Sequence, residues 1–276
     1  MSFSINTNIN AMTANLNSNL KNNALNHSLG SLSSGSQLGN AAYDASGLGI
    51  ANQLSARVSG LGQAIMNSND SIGMIQVADG AMQGINDNMD RIRVLTLQAS
   101  NDTMDADSRA AIQKEIDGLL ESSDDIAKQT SYNGIKLLDG TGGDGTGKFA
   151  TQSGADAGDS QSVTFAKSDV ASLVGSIDVT TQAGRDVATD TVDAALNSIS
   201  DSRATLGASQ NQLMSNIRNI SVGQVNAAAS ESQIRDVDFA AESANFSRAN
   251  LMSQIGSFTQ AQANASASSN MSRLLG

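Results

Sequence analysis

The absences in this 276-residue sequence exclude several kinds of site, because it contains no cysteine, no proline and no tryptophan. Without cysteine there are no disulfides and no thiolate metal ligands. Without proline the strongest helix breaker is missing, so long uninterrupted helices are permitted. Aromatic residues make up only 3% of the chain, which argues against a large ring-packed core and against a platform that stacks nucleic-acid bases.

The net charge of −11 is distributed unevenly. Before Asp44 the only charged side chain is Lys21, and only three charged side chains follow Asp238. An acidic, water-facing middle is therefore flanked by two nearly uncharged tails rich in Asn, Ser and Ala. Binding to nucleic acid through counterion release requires clustered Lys and Arg, so no nucleic-acid partner is predicted.

The sequence pattern predicts neither a signal peptide nor a membrane span. The first ten residues lack a basic start and a long apolar run, which a secretory signal requires. No run of about 18 apolar residues occurs, so no membrane insertion is predicted. Export by a route that reads no cleavable signal remains open.

Both tails have the period of a helix, with apolar residues mostly three or four positions apart. In the first tail they are Ile5, Ile9, Met12, Leu16, Leu20, Leu25, Leu29 and Leu32. In the second they are Phe239, Phe246, Leu251, Ile255 and Phe258. The remaining face is Asn and Ser rather than Lys and Glu. This pattern fits either an ordinary surface helix or a helix that is buried in a larger assembly.

Between the tails, the sequence predicts a break at 32–39 and then a helix from about Ala45 to Ser100. A heptad seam supports this second helix. It consists of Ile75, Ala78, Met82, Ile85, Met89, Ile92, Thr96 and Ala99. A third helix is predicted through Ile112 and Ile126, with an end at Tyr132–Gly134.

After the third helix, the glycine-rich stretch 140–158 predicts a loop. Short strands at 148–151 and 162–165 predict one hairpin. A fourth helical pattern begins near Ala188 and continues past Ile234 into the second tail. Its apolar and small residues again recur every three or four positions.

No arrangement of residues predicts catalysis, a metal or a cofactor. Residues 142–149 nearly match a phosphate loop, but Phe149 stands where that loop needs Ser or Thr to hold magnesium. Residues 139–144 lack the carboxylate spacing of a calcium loop. His27 is the only histidine, and it is predicted to pack rather than to act in a triad. The chain is therefore predicted not to be an enzyme.

One helix face outside the heptad seam predicts a protein contact. Arg91, Leu95 and Gln98 lie at i, i+4 and i+7, and are offset from the seam. A leucine exposed among hydrogen-bonding groups is typical of an interface. The alternative is an ordinary surface leucine.

Several motifs resemble the bacterial flagellin family. They are LSSG at 32–35, DASGLGIA at 44–51, the stretch 60–98, YNGIKLL at 132–138, RATLGASQN at 203–211 and IRDVDFAAE at 234–242. They cover nearly the whole chain outside 140–184. The ending at 243–264 resembles flagellins of the Campylobacter–Sulfurimonas kind of bacteria.

The resemblance implies a mainly α fold, which is an elongated bundle of long helices with one small β-hairpin. The amino- and carboxy-terminal helices would pair as a coiled coil. Residues 1–39 with 239–276 would form an inner core domain, and residues 40–238 an outer helical rod with the hairpin at about 145–168. Packing of the core domain would use residues of the two tail stripes, namely Ile5, Ile9, Met12, Leu16, Leu20, Phe239, Phe246, Leu251, Ile255 and Phe258.

The function implied by the resemblance is self-assembly into the helical flagellar filament for swimming motility. The subunit would be secreted through the flagellum's own type III apparatus and would meet an export chaperone, the filament cap and hook-junction proteins. Some flagellins are recognised by a vertebrate Toll-like receptor on a face that matches Arg91, Leu95, Gln98 and Glu115. The alternatives are a hook–filament junction protein with flagellin-like ends and, in another class, a peptidoglycan hydrolase or peptidase.

Overall fold

A computed structural model describes residues 7–168 and 173–275, and the predicted packing residue Ile5 lies outside the described residues. The long helices are α1 (Ile9–Ser34), α2 (Ala45–Ala99), α3 (Ala106–Gln129), α4 (Gln182–Arg235) and α5 (Phe239–Leu275). The strands are β1 (Ser131–Tyr132), β2 (Ile135–Lys136), β3 (Lys148–Gln152) and β4 (Ser160–Thr164). The prediction of a mainly α fold is confirmed.

The chain divides into two compact units. The first contains Met1–Ala56 with Asn226–Gly276, and the second is Arg57–Val225. In the first unit α1 packs against α5. The division into domains at 1–39 with 239–276 and at 40–238 stays a prediction, because a domain of an assembly is defined by contacts between chains.

Local signals explain where α1 begins and ends. The side chain of Asn8 caps the first turn by accepting a hydrogen bond from the amide of Ala11 at 3.0 Å. Gly35 ends the helix with a positive φ of 68°, a conformation that glycine adopts without strain. The predicted break at 32–39 is therefore observed.

The chain also breaks between α4 and α5, where the sequence predicted a continuous helical pattern. Asp238 caps α5, because its carboxylate accepts hydrogen bonds from the amides of Ala240 and Ala241 at 3.0 and 3.1 Å. The two breaks meet inside the first unit. The amide of Val237 donates to the carbonyl of Gly35 at 3.1 Å.

Two hairpins follow α3, where the sequence predicted a helix end and one hairpin. In the first, β1 pairs with β2 in an antiparallel register. Asn133 and Gly134 connect them, with φ values of 50° and 79°. Two consecutive positive φ angles match the right-handed twist of the flanking strands. The Asn-Gly pair therefore forms a hairpin turn and does not cap α3, which ends at Gln129.

The second hairpin lies where it was predicted, with β3 and β4 paired from Lys148↔Thr164 to Gln152↔Ser160. It packs onto the helices of the second unit through its inner face. The ring of Phe149 meets that of Phe165 edge-on, with centroids 5.3 Å apart. The hydroxyls of Ser71 and Thr151 are 2.5 Å apart.

The predicted seam of α2 forms the core of the second unit, and all eight of its residues are buried. The facing residues of α4 are Val192, Ala195, Ile199, Leu206 and Leu213. Ion pairs reinforce this contact. The guanidinium of Arg93 bonds to Asp193 at 2.5 Å and lowers the pKa of that carboxyl group. Arg203 bonds to Asp79 at 2.7 Å.

The prediction that Leu95 is exposed is wrong. It is 2% exposed and belongs to the core of the second unit. The reason is that α2 has neighbours on two sides, since Arg91 reaches Glu115 on α3 and Arg93 reaches Asp193 on α4. A helix that packs against two others buries a wider arc than a single seam.

We expect Leu95→Ala to lower the free energy of unfolding by about 2–5 kcal/mol, because it leaves a cavity in a closed core. Leu97 is the matched control on the same helix, since it is 50% exposed. Leu97→Ala should change that free energy by less than about 1 kcal/mol. Urea unfolding of the dilute chain, followed by circular dichroism, measures both. Equal losses in the two variants would show that Leu95 is not a core residue.

Candidate assembly surface

The contact between α1 and α5 is made mostly of small side chains. We call it the tail seam. On α5 one set of half-buried positions repeats every three or four residues, and it consists of Phe246, Ala249, Ser253, Gly256, Gln260, Ala263 and Ala267. On α1 the matching positions include Ala11, Ala14, Ser18, Leu25 and Ser28. A repeat of seven residues with alternating steps of three and four is typical of coiled-coil packing.

Polar contacts fix the register of the tail seam. The amide nitrogen of the Asn8 side chain donates to the carbonyl of Ala263 at 3.3 Å. The hydroxyl of Ser253 donates to the side-chain oxygen of Asn22 at 2.6 Å. The hydroxyl of Ser28 bonds to the Glu242 carboxylate, which lowers the pKa of Glu242.

The two helices approach closely at Gly256. A Cβ at this position would lie 3.6 Å from both the Cα and the Cβ of Ser18, which is ordinary van der Waals contact. An alanine therefore fits here, whereas a larger side chain would push the helices apart. The small residues of the seam set this close distance.

Most of the large apolar side chains of the tails lie outside the seam, and the eight most exposed of them, among the described residues, mark the two apolar stripes. They are Ile9, Met12, Leu16, Leu20, Phe239, Leu251, Ile255 and Phe258, and they are between 55% and 71% exposed. Of the predicted packing residues that the structure describes, only Phe246 is half-buried in the seam. The single chain thus leaves both apolar stripes uncovered, and their packing in an assembly stays a prediction.

The predicted contact face on α2 is rearranged around Leu95. Arg91 and Glu115 are partly exposed and form an ion pair at 2.7 Å, and Gln98 is exposed. Val94, which is exposed, supplies the apolar surface that was assigned to the buried Leu95. Because Val94 follows Arg91 by three positions, the sequence could have placed it on the same helix face. The same spacing also fits a core residue, so it does not by itself predict exposure.

The other residues that the sequence drew attention to show no catalytic geometry. His27 stacks on Tyr43, with ring centroids 3.9 Å apart. Lys148 opens strand β3, whereas a phosphate loop delivers its lysine to the start of a helix. In residues 7–168 and 173–275, no group of three His, Asp or Glu side chains is arranged to hold a metal ion. Within these described residues, no helix contains an apolar stretch long enough to cross a membrane.

Paired terminal helices that leave large apolar side chains uncovered define a helical protein with apolar surface outside its own core, and comparison with known families identifies it further. Residues 5–142 match the bacterial flagellin N-terminal helical region. Residues 189–275 match the bacterial flagellin C-terminal helical region. The chain therefore belongs to the bacterial flagellin family.

Curated relatives match this chain over most of its length. It is 35% identical to the flagellin of Halalkalibacterium halodurans, over 91% of this chain and 92% of that protein. It is 36% identical to the flagellin of Bacillus subtilis, with the same coverage. Flagellin A of Helicobacter pylori is 48% identical, but over 51% of this chain and 28% of that protein.

A solved structure also resembles the fold. The crystal structure of Bacillus cereus flagellin aligns with a TM-score of 0.51 and 27% identity, over 56% of this chain and 88% of that one. This likeness supports the same helical architecture for the matched part of the chain.

The close approach in the tail seam can be tested with an engineered disulfide, because the chain contains no native cysteine. A Cβ at Gly256 lies 3.6 Å from that of Ser18, within the roughly 3.5–4.5 Å that a disulfide requires. We expect the double variant Ser18→Cys with Gly256→Cys to form an intrachain disulfide on mild oxidation of the dilute chain. Mass spectrometry of the digested protein identifies the bridge.

The matched control is Ser18→Cys with Ile255→Cys. Ile255 is the neighbouring residue and points away from the seam, since it is 55% exposed. This control variant should form the intrachain disulfide much more slowly than the variant with Gly256→Cys. Bridging at equal rates in the two variants would contradict the seam.

Proposed function

We propose that this chain is a structural subunit that self-assembles into the helical filament of a bacterial flagellum and serves swimming motility. The observation that carries the proposal is the pair of uncovered apolar stripes on α1 and α5. Membership of the flagellin family supports the same conclusion. The chain is a filament protein and not an enzyme.

The size of the stripes indicates what their burial contributes. Full burial of a large apolar side chain contributes about 1.5–3 kcal/mol. Because the eight exposed side chains are already partly covered, their further burial would contribute roughly 7–14 kcal/mol per subunit. Association costs about 4–15 kcal/mol in lost freedom of motion. The two ranges overlap, so burial of the stripes roughly offsets the cost of association, and stable polymerisation also requires contacts from the second unit.

The face around Arg91 is a candidate for those further contacts. It combines the exposed Arg91–Glu115 ion pair with the exposed Val94 and Gln98. We propose it as a subunit contact and as the face that a vertebrate Toll-like receptor would read. Leu95 supports this face from within the core.

The remaining parts of the proposal follow from the family. The subunit is exported to the extracellular filament, and its partners are an export chaperone, the filament cap and hook-junction proteins. The tails form an inner coiled-coil domain and residues 40–238 an outer rod. Kinship with flagellins of the Campylobacter–Sulfurimonas kind rests on the ending at 243–264.

A hook–filament junction protein is not favoured as the alternative. The relatives that match about nine-tenths of this chain carry the names flagellin and flagellar filament core protein. Their coverage extends through the middle of the chain as well as the ends.

We expect the double variant Leu16→Ser with Ile255→Ser to raise the critical concentration for polymerisation by about 20- to 400-fold. The change removes two apolar contacts that each contribute roughly 0.9–1.8 kcal/mol between subunits. Sedimentation of filaments over a range of protein concentrations measures the critical concentration.

Circular dichroism of the dilute variant controls for folding, because both side chains are exposed in the single chain and should leave the monomer intact. The matched variant Asn17→Ser changes a polar neighbour of Leu16 and should polymerise nearly as the parent does. An unchanged critical concentration in the double variant would falsify the role of the stripes.

A further inference from the structure

Strand β4 has an unpaired edge. The amide of Phe165 donates to the carbonyl of Gly147 at 2.9 Å, and the antiparallel register continues from that pair along the hairpin. Ladder hydrogen bonds join every second pair of residues. The backbone groups of Ser160, Ser162 and Thr164 therefore point away from β3.

Most of these outward groups have no partner in the described part of the chain. The amide of Ser160 bonds to the carbonyl of Gly158 at 2.7 Å. The carbonyl of Ser160 and both backbone groups of Ser162 and Thr164 make no hydrogen bond within residues 7–168 and 173–275. An unpaired edge of this kind is a template for another extended chain.

Two open depressions lie between this edge and α4, and we refer to them together as the groove. Its larger part is about 850 Å³ in volume, and Ser160 and Ser162 line it opposite residues 212–220. Its smaller part is about 550 Å³, and Thr164 lines it opposite residues 194–205. The edge is about 14 Å long, at roughly 3.4 Å per residue. Open space therefore lies beside Ser160 and Ser162 and also beside Thr164.

The groove also favours a positively charged partner. Asp159 lies in its larger part and Asp201 in its smaller part, and both are exposed. No Lys or Arg lines either part, among the residues that the structure describes. The side-chain nitrogen of Gln161, which lines the larger part, is buried and lacks an acceptor within that same part of the chain.

We propose that the β4 edge and the groove beside α4 bind an extended, basic polypeptide segment of a partner protein by strand addition. The segment pairs its backbone with Ser160, Ser162 and Thr164. It places one Lys or Arg near Asp159 and another near Asp201, about four residues apart along the segment. This activity goes beyond polymerisation, because it gives the subunit a site for a different protein.

A synthetic peptide tests the proposal with the full-length chain. The probe is a fluorescent peptide of about nine residues that alternates Thr and Val, with Lys at its third and seventh positions. Fluorescence anisotropy at a protein concentration that keeps the chain monomeric should show saturable binding, with a dissociation constant below about 1 mM. A peptide with Glu in place of both Lys residues should bind roughly tenfold more weakly or worse.

Variants of the chain locate the site. Ser162→Pro removes an outward amide and spares the ladder, because proline is tolerated where an edge amide faces away from its partner strand. It should weaken peptide binding by about tenfold or more. Ser162→Ala is the matched control, since it keeps the backbone amide and should bind the peptide within about twofold of the parent. Asp201→Asn should weaken binding about threefold and reduce its dependence on salt.

A second measurement covers the case in which proline disturbs the hairpin. Methylation of the peptide's own backbone amides on the pairing side removes the same hydrogen bonds without changing the protein, and it should abolish binding. Three results overturn the proposal: no saturable binding, equal binding by Ser162→Pro in a folded chain, or equal binding by the methylated peptide. Self-association of the chain through this edge, with no binding of the peptide, overturns it as well.

Discussion

Small side chains line most of the contact between the two tail helices, and most of the large apolar side chains lie on the other faces of these helices. Small residues such as Gly256 and Ser18 face each other inside the tail seam, so the two helices can approach closely. Most of the large apolar residues then lie on the outer surfaces. The chain is thereby left with apolar area that only association with other chains can remove from water.

The second unit shows the opposite arrangement. Most of its large apolar side chains face inward from α2, α3 and α4 and form a main buried cluster and a smaller one around Leu61 and Ile220. Ion pairs such as Arg93–Asp193 and Arg203–Asp79 lie at the margins of the contact between α2 and α4, where they add orientation more than stability. A unit that closes its own core in this way can present a defined surface, including the face around Arg91 and the free edge of β4.

Much of this fold could be predicted from local sequence. The seam from Ile75 to Ala99 keeps its steps of three and four over several turns, so the face that packs was evident before any partner was known. The errors have a different cause. The burial of Leu95 required knowledge that both α3 and α4 pack on α2, which no local pattern encodes. The cap at Asp238 was hidden because the apolar period continues across it.

The helical tails and their apolar stripes are properties of the sequence alone, because a helical period is set by residues three and four positions apart. Which side of each tail helix packs against the other tail of the same chain is decided only in the folded structure. That choice depends on the fit between two helices that are distant in sequence. Here the small residues give the closer fit, and the large residues are left on the outside.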